Sequence, residues 1–445
     1  MSRFLFYGPE AAWSSLAFRL QELEGHDVRI FCKKSEGRDH LKGIVKHVNT
    51  LDEGKAWVGK SGYILSEDEA DVTFLRTQGF SVYGGNAWIN KIENDRVFQM
   101  DVCKKAGLDL PNYHAMKTIE EGIAFIKAHP DCYVLKQLGH APKEWNFAGK
   151  EDDGSDIILQ LEWIKQSAAF KKLGKAPFML QEIVDGIEFA VGAFWMYDDW
   201  KRTDDGSIFI EHNREHKKML NGDLGIGCGE MGTVMQFTTE DTKLFEQTLE
   251  KLTPVFRKEA SDVCIDVDAN CGIVEEDGKA KAYLFEITPR TGYPACALQE
   301  YLLNMDPGDF YADLIDGKQG NIKYKKEWGV VTNIGTGDYP HESIEESELD
   351  SFKNQPVELK PDTHTIPAYL KWDTEKKIYR IADPYAWVST VCFHDKDIEK
   401  ANKKCVEAME KIVVRSPVYR TDIGEKFQKK ELPKLQRMGY LSKED

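Results

Sequence analysis

The sequence predicts a multidomain protein of mixed class, α/β at its start and α+β further on, and three observations carry that expectation. At 445 residues the chain is longer than one ordinary hydrophobic core covers, so roughly two to four domains are expected. The opening RFLFYG is a short apolar strand ending on Gly8, and the helical spacing of AAWSSLAFRLQEL leads to a second strand, VRIFCKK, as an α/β unit begins. From Tyr133 onward, apolar or alternating segments are separated by charged turns, the pattern of an antiparallel sheet.

The elements follow in order. ENDRVFQMDVCKKAGLDLP has amphipathic helical spacing through Val97, Phe98, Met100 and Val102, and Gly107 and Pro111 stop it. A helix around EEGIAFIKAH and the strand YVLKQL come next, and further strands are expected at PFMLQEIV, EFAVGAFWMY, GSIFIEHN and KAYLFEIT. The last third reads as a separate small α+β unit. It has a strand and turn in WGVVTNIGTGDYP, a hairpin at DTEKKIY, a strand at WVSTVCFH and a helix over IEKANKKCVEAMEKIV. The polar stretch DGKQGNIKYKK places a boundary near residue 320, which with a cut after residue 87 divides the chain into 1–87, 88–320 and 321–445.

A content of 41% hydrophobic and 30% charged residues suits a folded protein. The formal charge of −16 argues against nucleic acid as a partner, because affinity for a phosphate backbone comes from Lys and Arg. One local basic cluster is still enough to hold a nucleotide. Nine scattered cysteines without a Cys-x-x-Cys pair suit a reducing compartment. The opening apolar stretch is too short for a secretory signal and no run approaches the length of a membrane span, so a cytoplasmic protein with no membrane partner is expected. The oligomeric state is left open.

Several segments carry candidate chemistry. In YLFEITPRTGYP, Glu286, Thr288 and Arg290 alternate along one strand and share a face. A carboxylate beside a hydroxyl offers Mg²⁺ the oxygen ligands it takes, and a guanidinium beside them suits phosphate; taken alone, the same face also fits a solvated strand. In QEIVDGIE, the backbone at Glu182 and Val184 can meet an adenine edge and Glu188 can accept ribose hydroxyls, while exposed acids on a strand read the same way. Lys136 interrupts an apolar strand, where an ammonium is costly unless it finds an anion or lies at an edge. HNREHKKMLNGDLGIGCGEMGT places a glycine-rich loop behind a strand, with Lys217 and Lys218 nearby, as loops that close on phosphate or carboxylate do. His212 and His216, with Glu215 between them, also admit a metal-site reading, but no third ligand is in view.

With those segments in order, the chain resembles the ATP-grasp superfamily, and within it the phosphoribosylamine–glycine ligase family, from about Val82 to Phe427. DRVFQMDVCKKAGLDLP is similar to the helix that opens the family's nucleotide-binding unit, which implies Arg96 as a phosphate contact, and YVLKQL to the strand bearing a second, Lys136. MLQEIVDGIEFA resembles the family's hinge, implying Glu182 and Val184 at adenine and Glu188 at ribose. EHKKMLNGDLGIGCGEMGT resembles the Asp-His-Lys segment and glycine-rich loop, FEITPRTGYP the Glu-Phe-Asn-x-Arg-Phe-Gly-Asp-Pro motif, and YRTDIG the C-terminal Arg-Lys-Asp-Ile-Gly. The resemblance implies an ATP-grasp fold with a lid over about 112–190, Glu286 and Thr288 as ligands of Mg²⁺ or Mn²⁺, and Arg290, Lys217 and Asp223 as catalytic residues. It also implies ATP as cosubstrate, a small acid such as glycine activated as an acyl phosphate, and an amine such as phosphoribosylamine.

The departures fall in particular places. Thr288 stands where the family has Asn, QLGHAPKEWNFAG lacks the family's phosphate-covering glycines, and GPEAAWSS replaces the loop that serves phosphoribosylamine. Ile226, Gly227, Cys228 and Glu230 change the glycine-rich loop. Two rival readings follow: a ligase with another amine acceptor, and a nucleotide binder without turnover.

Overall fold

The computed structural model describes residues 1–8, 13–66, 69–138, 145–173, 177–337, 352–383 and 387–442. Part of the expected N-terminal loop (9–12), the middle of QLGHAPKEWNFAG (139–144) and the end of WGVVTNIGTGDYP (338–340) lie outside them.

The N-terminal unit is a parallel sheet of five strands, β1 (Arg3–Gly8), β2 (Asp27–Cys32), β3 (Lys46–His47), β4 (Tyr63–Ser66) and β5 (Ser81–Tyr83), in the order β3-β2-β1-β4-β5. β1 is central and buried from Phe4 to Gly8, as its unbroken apolar run requires for a strand covered on both faces. The chain leaves β5 through two capped helices. Asn86 caps Ala87–Asn94, and Asp95 caps Arg96–Lys105 by accepting from the Phe98 N–H at 3.0 Å.

A second, antiparallel sheet holds β6 (Tyr113–Met116), β7 (Tyr133–Gln137), β8 (Phe147–Ala148) and β9 (Phe178–Glu182) in the order β6-β9-β7-β8. The helices Ile119–Ala128 and Ser155–Gln166 pack Ile126, Ile157 and Leu161 against Leu135, Phe178 and Leu180, giving this unit its own small core.

The large sheet has ten strands. It contains β10 (Ile187–Met196), β11 (Asp199–Trp200), β12 (Ile210–Glu215), β15 (Gly232–Thr238), β16 (Cys264–Glu276), β17 (Lys279–Thr288), β18 (Trp328–Thr336), β20 (Thr365–Pro367), β23 (Trp387–Asp395) and β24 (Pro417–Val418). The hairpin β13 (Lys218–Leu220) and β14 (Leu224–Gly227) leaves it after β12, and β19 (Pro356–Val357), β21 (Leu370–Asp373) and β22 (Ile378–Ile381) form a separate three-stranded sheet. The main path runs β17-β16-β10-β12-β15-β18-β23-β20. β15 pairs with β18, so hydrogen bonding continues from the middle of the chain into its last third, and one apolar cluster extends from Ile89 to Leu441.

β16, the longest strand at 13 residues, is absent from the sequence-based reading. Ile265, Val267, Ala269 and Cys271 point into the apolar cluster, which leaves Asp266, Asp268 and Asn270 on the opposite face. That polar face is the floor of the site.

Candidate active site

The helix cap at Asp95 makes Arg96 the first helical residue, and its side chain runs to β17. There the guanidinium donates to the Phe285 carbonyl at 3.0 Å and to the Glu286 carboxylate at 2.5 Å. Lys217, between β12 and β13, stands 3.5 Å from the same carboxylate, 2.9 Å from Glu215 and 3.6 Å from Glu188. Burial alone would push Glu286 up, but Lys217, Arg96 and Lys136 outweigh it and hold the group well below the usual carboxylate range. Lys217 is shifted the other way. Burial would lower it, and Glu215, Glu286 and Glu188 together raise it.

Lys136 joins this group from β7. Its ammonium lies 5.9 Å from the centroid of the Phe285 ring, and no carboxylate of the described residues stands within 4.0 Å of it. Burial, with repulsion from Arg96, lowers it to about 8. A desolvated ammonium without a counter-ion is a receptor for an anion.

The remaining nucleotide candidates line the hinge between β9 and β10. Glu182 is tied to Asn112 through its carboxylate (2.7 Å) and its N–H (2.9 Å). The carbonyl of Val184 accepts from the Gly186 N–H at 2.9 Å. Glu188 faces Arg214 and Lys217, each at 3.6 Å, and Asn270 extends its amide to Glu188 (3.5 Å) and Glu215 (3.2 Å).

The glycine-rich segment is the exposed hairpin β13–β14, turning on Gly222 and Asp223 with φ of 71° and 57°. The YRTDIG segment holds it. Buried Arg420 donates to the Lys218 carbonyl (3.0 Å), to Asp223 (2.8 Å) and twice to Asp422 (2.8 Å each), and Asp422 in turn accepts from the Gly222 N–H at 2.7 Å. Two motifs about 200 residues apart are thus one structure, and Arg420 lowers Asp223 against the upward push of burial.

The structure therefore brings Arg96, Lys136, Glu188, Lys217 and Glu286 together. It places Arg290 beside Glu93 at 2.8 Å, half exposed, and Asp223 at the hairpin turn. Thr288 ends β17 directly opposite Asp268 on β16. His212 and His216 lie on the other face of β12. Burial lowers each to about 3, His212 packs on the Phe189 ring, and His216 accepts from the Gly424 N–H at 3.2 Å. Among the described residues no group of three His, Cys, Asp or Glu is placed to hold a metal ion.

Sequence reasoning missed Glu211, Asn213, Asp266, Asn270 and Gln299, all buried on the floor, and the partly buried Asp268 among them. The alternation of CIDVDANC, polar at 266, 268 and 270, was the signal that could have found three of them.

This architecture, a small antiparallel lid folded over the edge of a large antiparallel sheet with cations converging from both, is the ATP-grasp fold. Solved structures agree. The chain covers 95% of its length on phosphoribosylamine–glycine ligase from Thermotoga maritima, with TM-score 0.68 and 18% identity over 100% of that chain. It also matches the biotin carboxylase of Campylobacter jejuni, with TM-score 0.60 and 12% identity over 94% of this chain and 92% of that one. Within that class the sequence is similar to phosphoribosylamine–glycine ligase: the Helicobacter pylori (strain ATCC 700392 / 26695) enzyme is 23% identical over 94% of this chain and 96% of its own. The Phenylobacterium zucineum enzyme is 22% identical over 79% of each. No protein-family model matches the chain.

Proposed function

We propose that this protein is an ATP- and Mg²⁺-dependent carboxylate–amine ligase, ADP-forming and similar in chemistry to phosphoribosylamine–glycine ligase. The observation that carries the reading is the cluster at Glu286, one carboxylate held by Arg96 and Lys217 with the buried Lys136 beside it. Positioning and charge neutralisation are what phosphoryl transfer asks of a protein.

Arg96 and Lys136 hold the ATP phosphates, the hinge at Glu182 and Val184 meets adenine, and Glu188 meets ribose. Glu286 and Thr288 fit Mg²⁺, with Mn²⁺ as an alternative, because a hard cation bound to nucleotide needs only one or two protein oxygens besides phosphate. Bound there, the metal neutralises developing charge on the phosphates. Arg290 steadies the transferred group, and Lys217 and Asp223 flank the acid. A small carboxylate such as glycine attacks the γ-phosphorus, expelling ADP. The amine lone pair then attacks the acyl carbon, the C–N bond forms, the bond to phosphate breaks and the amine proton leaves to solvent. Phosphoribosylamine is the first amine to test. The units 1–87, 88–320 with a lid at about 112–190, and 321–445 divide this work, in a cytoplasmic setting.

The test is ADP release from wild type and Glu286→Ala with glycine and a panel of amines. The variant is expected to lose ADP formation while keeping its circular dichroism, and a folded variant that still turns over would sink the assignment.

A further inference from the structure

On the floor beyond the metal candidates, β10 carries Gly192 where its neighbours carry acids. In register, Glu211 of β12 lies on one side of it and Asp268 of β16 on the other. A Cβ at Gly192 would fall 2.5 Å from Asp268 Oδ1 and 2.7 Å from Glu211 Cγ, so the missing side chain is what lets the two acids lean together. Asp266 stands two residues further along β16, opposite Phe194.

Two amides are clamped among these acids. The Gln299 Nε2 donates to Glu211 (2.7 Å) and Asp266 (2.8 Å), and Asn213 Nδ2 donates to Glu211 and Asp268, both at 3.1 Å. With their nitrogens held there, the amide oxygens of Gln299 and Asn213 remain inside the cluster without a donor. Asp266 Oδ1, Asn270 Oδ1 and Glu230 Oε1 are likewise buried and unpartnered. Besides these acceptors, only the hydroxyls of Tyr83, Thr233 and Thr291 are open near the floor among the described residues. None of Glu211, Asp266, Asp268 and Glu230 has a Lys, Arg or His within 4.0 Å among the described residues, and Arg290 and Lys217 act on Asp268 and Glu230 only through space.

Buried acceptors without donors are costly, and buried acids without a cation more so. A ligand that supplies N–H groups and positive charge relieves both. A phosphate-bearing amine would bring more negative charge to the same acids.

We propose that this acid cluster binds a cationic organic amine with at least two positive charges, of the α,ω-diamine class, as the amine substrate. The assignment as substrate rests on the ligase reading above; the binding itself does not.

The test is calorimetric titration at pH 8 with 1,4-diaminobutane and with O-phosphoethanolamine, on wild type and on the double variant Glu211→Gln/Asp266→Asn. Wild type is expected to prefer the diamine. The double variant is expected to lose about tenfold or more of that affinity while its MgATP affinity stays within about threefold. Should the double variant unfold, Glu211→Gln alone is read in the same way, as a rise in melting temperature with diamine that is smaller than in wild type. Diamine binding unchanged by the substitutions, or O-phosphoethanolamine bound as tightly as the diamine, overturns the proposal. ADP release separates it from its parent. Diamine binding that follows the acids, with no ADP from any acid and amine pair, removes the ligase reading and leaves the amine site. ADP formed only with phosphate-bearing amines leaves the ligase and removes the amine site.

Discussion

Glu286 on β17 and Asp266 on β16 stand on adjacent strands of one sheet, yet the first is gripped by Arg96 and Lys217 while the second meets the amide of Gln299. Burial pushes both acids up. Only Glu286 has cations enough to reverse the push, so one region of the floor is held anionic while burial pushes the acids of the other toward their protonated form. Depth does not decide the charge of a group here; the partners do. The proposed metal and phosphates fall to the first region, and the proposed amine to the second.

The sharpest break of this contrast is Glu286→Ala, which takes from Arg96 its carboxylate partner and leaves Lys217 with Glu215 and Glu188 alone. ADP formation is expected to fall by at least about 100-fold in a steady-state assay. Next comes Lys136→Met, expected to weaken MgATP by roughly 10- to 100-fold in direct titration, since a charge-assisted contact is lost without loss of volume. The wild-type pH profile sharpens the same point. An ammonium lowered to about 8 loses its proton as pH rises, so MgATP affinity should drop about tenfold between roughly pH 8 and 9, and Lys136→Met should flatten that drop.

Glu211→Gln probes the other region. Burial and repulsion from Asp266 raise Glu211 to about 8, so the native state keeps a proton that the unfolded chain releases. The stability this gives is complete below the ordinary glutamate range and is lost as pH rises toward 8. Denaturant midpoints from about pH 5 to 8 should therefore fall less steeply in the variant, by up to about 1.4 kcal/mol per pH unit. The smallest effect is expected from Thr288→Asn, where an amide oxygen replaces a hydroxyl. The Mg²⁺ concentration for half-maximal activity should fall by about two- to fivefold, measured by metal titration.

The anionic region was legible in the sequence because its residues interrupt apolar strands, as Lys136 does, or alternate with them, as Glu286 and Thr288 do. The start of the chain, the hinge and the helix behind Asp95 were legible for similar local reasons. The protonated region was not. Its members come from β12, β16 and the helix Ala295–Leu302, and only the pairing of β10 with both neighbours puts Glu211 and Asp268 over Gly192. Nor does local pattern show that β18 continues the large sheet, since WGVVTNIGT reads as a strand whichever neighbour it finds. Arg290 follows the end of β17, where its side chain reaches Glu93 and still acts through space on Asp268.

The Arg420 clamp on the glycine-rich hairpin has a consequence for the order in which the protein is made. Every residue assigned to nucleotide leaves the ribosome well before Tyr419 is translated, but until Arg420 and Asp422 arrive the turn at Gly222 and Asp223 has nothing to lean on. A nascent or truncated chain that stops short of them would carry its nucleotide residues with an unbraced loop.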